Sequence, residues 1–188
     1  MTPIQQLIGL LARADPGFVA GDYATRFRSA SGPEDETGFF RYFRGGFWEV
    51  RIDGASRSLR SPWGLRVELA SGRVEEAPGR GTLPPRYPPW SLVLPRYSTF
   101  LGREHDDWQL DASRPILEDN GSLTAALTNL EDPEYSGILT VSTDTYTITS
   151  VDLGHMVQTL AIVRTEPDAE DLAVLEDIKA STKASGEA

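Results

Sequence analysis

Two runs of aromatic and β-branched residues flank a pair of glycines in GFFRYFRGGFWEVRIDG, Gly38–Gly54. Few patterns constrain a chain as strongly. Gly45-Gly46 suits a two-residue turn whose central positions both need positive φ, and the alternation on either side makes the flanks antiparallel strands. Pairing about that turn sets Phe43 opposite Trp48, Arg41 opposite Val50 and Phe39 opposite Ile52. Tyr42 then faces Glu49, and Phe40 faces Arg51, on the other side of the hairpin. The first face is apolar except for Arg41.

The same reasoning extends along the chain. Thr2-Pro3-Ile4-Gln5 is a capping box with proline at the first helical position, and Ile4, Leu7, Ile8 and Leu11 form the apolar stripe of a short helix. Asp15-Pro16-Gly17 ends it. Tyr23–Ser29 reads as a strand and Ser31–Gly38, SGPEDETG, as an acidic loop. A second hairpin, GLRVELASGRVEEAP, turns at Ser71-Gly72, with Leu65, Val67 and Leu69 alternating against Arg66 and Glu68. Short strands follow around a turn at Asn120-Gly121. Leu139 and Val141 lie on a further strand, Tyr146, Ile148 and Val151 continue the pattern, and a strand reaches about Arg164 after a turn at Asp152–Gly154. Pro167 opens a last helix, acidic at its start and basic near Lys179 and Lys183, with Leu172, Leu175 and Ile178 as its apolar edge.

The expected fold class is therefore α+β, a curved antiparallel sheet with an N-terminal helix, a mid-chain helical segment and a short C-terminal helix on one side. At 188 residues the chain is expected to form one domain over 1–180 with a disordered tail at 181–188. Gly and Pro, 17 and 13 in number, agree with many turns and short strands.

Gly79–Tyr97 reads GRGTLPPRYPPWSLVLPRY. Pro84-Pro85-Arg86-Tyr87 matches the short PPxY form read by polyproline-binding modules. A structural role explains more of the stretch. Pro84–Pro89 is stiff and extended, while Trp90, Leu92, Val93, Leu94, Tyr97, Phe100 and Leu101 are too apolar for an exposed loop. A helix opened by Pro95 and ended by Gly102 would be delivered onto the sheet as an apolar plug. In this order of elements (helix, antiparallel strands, a proline-bearing helical segment, further strands) residues 2–165 resemble the LolA/LppX-like fold of lipoprotein carriers. That resemblance implies a half-open barrel around a hydrophobic cavity covered by helical segments, and carriage of acyl chains. The chain departs from those lipoproteins in having no export signal or lipobox cysteine, and in its C-terminal helix.

Charge and motifs narrow the function classes. Residues 1–94 carry 12 Arg and 10 acids, whereas residues 95–188 carry 6 basic and 18 acidic groups, so the halves are +2 and −12 within a net charge of −10. A surface of that sign repels nucleic acid, and no membrane span is long enough to read from the sequence. With no basic n-region at the N-terminus, the expected location is cytoplasmic. The arginine-rich usage fits a bacterial, GC-rich genome.

The absence of cysteine excludes disulfides and thiolate chemistry. His105, within Glu104-His105-Asp106-Asp107, and His155 stand apart, and both read as turn or loop residues rather than metal ligands. No cofactor motif is legible: neither a nucleophile elbow nor a phosphate loop occurs.

The resulting expectation is a non-enzymatic protein that binds a hydrophobic or amphipathic small molecule in a half-barrel cavity. The candidate ligand-binding residues are Phe39, Arg41, Phe43, Trp48, Trp63, Trp90, Leu94, Tyr97 and Phe100, with Arg41 holding an anionic head group or an internal ion pair. Two alternatives stay open: an acidic interaction module, of immunity or regulatory type, whose C-terminal half covers a basic protein partner, and a small cofactor-free enzyme.

Overall fold

The computed structural model describes residues 2–29, 32–78 and 89–183. Residues 79–88, which hold the Pro84–Tyr87 match and most of the proline-rich run, lie outside the described residues, as do residues 184–188 of the expected tail. The elements run in the order α1 (Pro3–Arg13), β1 (Phe18–Ser29), β2 (Gly32–Phe43), β3 (Phe47–Ile52), β4 (Ser56–Arg60), β5 (Gly64–Leu69), β6 (Val74–Pro78), α2 (Trp90–Val93), a 3-10 turn (Pro95–Tyr97), β7 (Trp108–Leu110), β8 (Leu117–Asp119), β9 (Ser122–Asn129), β10 (Ser136–Ser142), β11 (Ile148–Asp152), β12 (Met156–Arg164) and α3 (Ala169–Lys183). The 12 strands form one open antiparallel sheet in the order β6-β5-β4-β3-β2-β1-β12-β11-β10-β9-β7, with β8 paired to β9. The fold is α+β, as expected.

The described chain divides into two compact units. The first takes residues 1–15, 25–35 and 89–160, and its sheet has one strictly alternating inner face. On β10, Gly137, Leu139 and Val141 are buried while Ile138 and Thr140 are not; Ala125 and Leu127 of β9 and Val151 of β11 lie in register with the buried set. This is the period-2 pattern of a half-buried sheet. Helix α1 starts as expected, with Thr2 accepting from the Gln5 N–H and Gln5 reaching back to the Thr2 N–H, and it buries Leu7 and Leu11. The turn from β8 to β9 sits at Asn120 (φ 45°) and Gly121 (φ 76°), the two positive-φ positions of a tight hairpin turn. Tyr146, expected in a strand, instead holds φ 53° in the turn before β11.

The second unit takes residues 16–24, 36–88 and 161–188 as far as they are described, and α3 packs on β3, β4 and β5. Its first hairpin corrects the expected register. The pairs are Phe43↔Phe47, Tyr42↔Trp48, Arg41↔Glu49, Phe40↔Val50 and Phe39↔Arg51, so Arg44, Gly45 and Gly46 form a three-residue loop. A slip of one residue exchanges faces, because the side-chain period of a strand is two. Phe39, Arg41 and Phe43 therefore share a face with Phe47, Glu49 and Arg51, while Phe40, Tyr42, Trp48 and Val50 take the other.

The acidic segment read as a loop is the first half of β2, where Asp35 pairs with Arg26 at 3.2 Å and Glu36 accepts from the Tyr23 hydroxyl at 3.3 Å. Strand β4, SRSLR, was not legible because Leu59 is its one apolar residue. Helix α3 is 15 residues long and continues through residues 181–183 of the segment expected as tail. It buries Asp171, Val174, Ile178 and Thr182; of the expected edge Ile178 is buried, Leu175 is half-buried and Leu172 is exposed.

Backbone approach limits one position in particular. A Cβ at Gly38 would sit 1.9 Å from the Arg51 carbonyl oxygen and 2.8 Å from the Tyr23 ring. Gly38→Ala is expected to lose about 1–3 kcal/mol of stability, the usual cost of overpacking, read as a lowered urea midpoint with unchanged slope. An unchanged midpoint would mean that β2 and β3 move apart at this pair without cost.

Candidate functional site

The α3-facing side of the second unit's sheet carries charges in alternating sign. Arg41 projects from β2 and Glu49 from its partner position on β3; the side chains are 4% and 0% exposed. Arg57 and Leu59 occupy the same face of β4, and Arg66 and Glu68 the same face of β5. Above them, α3 supplies Glu170, Asp171 and Asp177. The Arg41 guanidinium donates to Glu49, to Asp171 Oδ1 at 2.6 Å and to Glu170 Oε1 at 2.6 Å, so all three of its nitrogens are engaged. Glu49 Oε1 also accepts from Arg57 at 2.7 Å and Arg51 at 3.0 Å, and Arg57 reaches Asp177 at 2.9 Å. Arg164 donates to the second oxygen of Asp171 at 3.2 Å, and the Asp168 N–H does so at 3.1 Å. Farther out, Arg66 bridges Glu68 and Glu76 at 3.1 and 3.0 Å.

These partners decide the protonation states. Burial works to raise the Glu49 carboxyl, but hydrogen bonds from Arg57 and Arg41 and the charge of Arg51 outweigh it and hold the group below the usual carboxylate range. Burial acts the same way on Asp171, where the Asp168 N–H, Arg164 and Arg41 prevail. Burial lowers Arg41 and Arg57, and their carboxylate partners more than reverse it. Glu49 and Asp171 are thereby held as carboxylates and Arg41 and Arg57 as cations at neutral pH, and each positive charge at the centre meets a negative one. The arrangement fastens α3 to the sheet, with a carboxylate partner on each of the three guanidinium nitrogens of Arg41.

An apolar cluster lies beside the charges: Phe18, Ala20, Phe43, Leu59, Val174 and Ile178, with Phe39, Phe47 and Leu175 packed against it. Phe18 and Phe43 approach to 5.0 Å between centroids, and Arg41 lies 4.9 Å above the Phe39 ring. Of the nine candidate residues, then, Phe39, Arg41 and Phe43 lie together under α3. Trp48 is on the opposite face, 4.5 Å from Tyr42, and Trp63 is 44% exposed in edge-to-face contact with Phe47.

The other four belong to the first unit. Trp90 is half-buried at the start of α2, Leu94 and Phe100 are buried, and Tyr97 is exposed with Arg96 over its ring. The helical segment begins at Trp90, earlier than the Pro95 expected to open it. Helix α2 packs on β11, the 3-10 turn packs on α1, and Leu92, Val93 and Leu94 are each at most 3% exposed.

The Glu104–Asp107 loop is built around Asp106. Its carboxylate accepts from the backbone N–H groups of Leu101 and Arg103, each at 3.0 Å, and from the Arg103 side chain. Among the described residues no cluster of side chains has the makings of a metal site. His105 and His155 are both exposed, and the His155 ring meets Phe27 edge-on at 5.8 Å.

Comparison places this architecture among known structures. No family model and no curated protein matches the sequence. An uncharacterized conserved protein from Thermus thermophilus is similar over 92% of this chain and 93% of its own, with a TM-score of 0.51 and 8% identity. A LolA superfamily protein from Nitrosomonas europaea is similar over 87% and 93%, at a TM-score of 0.40 and 12% identity. A chain of the Pseudomonas aeruginosa MucA/MucB complex is similar over 91% of this chain and 60% of that one, at 0.49 and 13%. The Thermus thermophilus protein shares the overall architecture. At these identities the likeness is one of fold, and the helical segment at 90–97 occupies the mid-chain place that the element order assigns it.

Proposed function

We propose that the protein binds an apolar or amphipathic small molecule, without catalysis, between the inner face of the first unit's sheet and the segment 90–101. One observation carries this reading. The inner face is apolar through Ala125, Leu127, Leu139, Val141 and Val151, and the element packed on β11 is a four-residue helix followed by a three-residue 3-10 turn. Helices this short have no stability of their own and hold their place only by packing. Leu92, Val93 and Leu94 thus form a cover that an acyl chain or similar apolar group replaces like for like. Trp90, Leu94 and Phe100 are the ligand-contacting residues among the nine candidates. The resemblance in element order points the same way.

Native mass spectrometry tests it. Protein of 20.6 kDa, as purified or after incubation with a saturated C16 fatty acid, is expected to carry excess mass of a few hundred daltons that denaturation removes. A bare chain mass under both conditions sinks the reading. A second reading rests on charge. From Leu117 to Val163 the chain has no Lys or Arg, while Glu118, Asp119, Glu131, Asp132, Glu134, Asp144 and Asp152 supply carboxylates, a distribution suited to a basic protein partner. In the same spectra that partner would be a protein-sized adduct dispersed by salt.

A further inference from the structure

Three short segments meet at one end of the second unit: the β2–β3 loop, the β4–β5 loop and the last turn of α3. The two loops are neighbours, since a methyl group at Gly46 would lie 3.8 Å from the Pro62 ring. The end of α3 joins them through the hydroxyls of Thr182 and Ser61, 2.7 Å apart, and Ser61 Oγ also accepts from the Trp63 N–H at 3.0 Å. Trp63 stands at this corner in edge-to-face contact with Phe47, 5.5 Å between centroids, and is 44% exposed.

The charge of the corner is opposite to that of the chain. The sequence has two lysines, Lys179 and Lys183, and both lie in these last turns of α3; Arg44 is exposed on the neighbouring loop. Residues 44–47, 61–64 and 179–183 contain no acid, in a chain with 28. Lys179 has one intrahelical partner, Glu176 at 2.7 Å, and Lys183 is exposed.

We propose that this corner, Trp63 with Arg44, Lys179 and Lys183, docks on an anionic lipid surface. A single exposed tryptophan is ordinary. An exposed indole on a corner that also carries basic side chains is what the boundary between headgroups and acyl chains accepts, the ring entering and the cations staying with the phosphates. Nucleic acid asks instead for a row of cations that tracks phosphates, which three charges about one indole do not make. The net charge of −10 does not forbid the contact. Fields beyond about 8 Å are screened at physiological ionic strength, so a membrane met by this corner senses chiefly the local positive charge, and docking is restricted to one orientation. The site is separate from the proposed ligand segment and does not depend on it.

Sedimentation with vesicles of equal parts phosphatidylglycerol and phosphatidylcholine, against pure phosphatidylcholine, tests the proposal on the full chain. Binding is expected to the anionic vesicles only, to fall with salt, and to shift the tryptophan emission to the blue. Lys179→Gln with Lys183→Gln should weaken it about 25-fold, roughly fivefold for each cation near the surface. Trp63→Ser should weaken it about tenfold or more from lost apolar burial. Trp63→Phe should keep binding within about threefold but lose the emission shift. Unchanged urea midpoints in these surface variants separate binding from folding. Equal binding to both vesicle types, no binding to either, or indifference to Trp63→Ser overturns the proposal. So does displacement by duplex DNA or heparin with no emission shift on vesicles, which would assign the corner to a soluble polyanion.

Discussion

Replacing Arg41 with methionine is expected to remove about 3–5 kcal/mol of stability in urea unfolding at neutral pH. The reason is what remains. Glu49 and Asp171 are 0% exposed, and both lose a guanidinium at hydrogen-bonding distance. Arg57 and Arg51 still serve Glu49 from its other oxygen, and Arg164 still serves Asp171, so neither carboxylate is fully stranded. That partial compensation puts the expected loss at the lower end of the range. Desolvation of two charges against a methionine side chain is costly whatever apolar area the methionine adds. The triple variant Arg41→Met, Glu49→Met and Asp171→Leu should recover part of the loss, because the fully buried ions leave together, while the more exposed Arg57, Arg51 and Arg164 each lose a carboxylate partner. If Arg41→Met alone cost less than about 1 kcal/mol, the range of an exposed ion pair, the guanidinium would have to be solvent-screened in solution.

The same network shows what the sequence could and could not disclose. Local chemistry was readable. The Thr2–Gln5 capping box, the Asn120-Gly121 turn and the alternation of Leu139 and Val141 depend on residues within a few positions of one another, and each is found where read. The register of the first hairpin was not, because Arg44-Gly45-Gly46-Phe47 accommodates a two-residue or a three-residue loop. One signal was present. The two-residue turn puts Arg41 opposite Val50, whereas the observed loop puts it opposite Glu49, and cross-strand charge pairing favours the second.

Strand β4 escaped because Ser56, Arg57, Ser58 and Arg60 look like loop, and Arg57 becomes strand-compatible through Glu49, Glu68 and Asp177. Helix α3 turned its buried edge away from Leu172 for the same reason. Its docking is set by Asp171 meeting an arginine 130 positions earlier, which no periodicity within the helix reports. The candidate residues follow their neighbourhoods. Phe39 and Phe43 are placed by the register, and Trp90, Leu94 and Phe100 belong to a run too apolar for an exposed loop.

Acid should reveal the buried carboxylates most directly. Glu49 and Asp171 are held below the ordinary range in the folded chain, while in the unfolded chain they titrate near pH 4. Their contribution is therefore complete above about pH 5. As pH falls through the ordinary carboxylate range, the unfolded chain binds protons that the folded chain refuses, and stability drops until the folded groups titrate in turn. Two such groups give a limiting slope of about 2.7 kcal/mol per pH unit, at about 1.4 for each proton. Arg41 and Arg57, raised above an already high value, add nothing to this limb. Asp106 adds to it, since Arg103 overcomes the effect of burial there and lowers its carboxyl. The difference between variants, not the slope alone, is therefore the test. Glu49→Gln and Asp171→Asn should each flatten the acid limb by about one proton, while each also lowers the neutral-pH plateau because an arginine loses its counter-ion. Urea midpoints followed from neutral pH into acid would show it. Limbs of equal slope in both variants and the wild type would mean that other carboxylates govern acid unfolding, and that the α3 network is not the part of the fold that acid dissolves first.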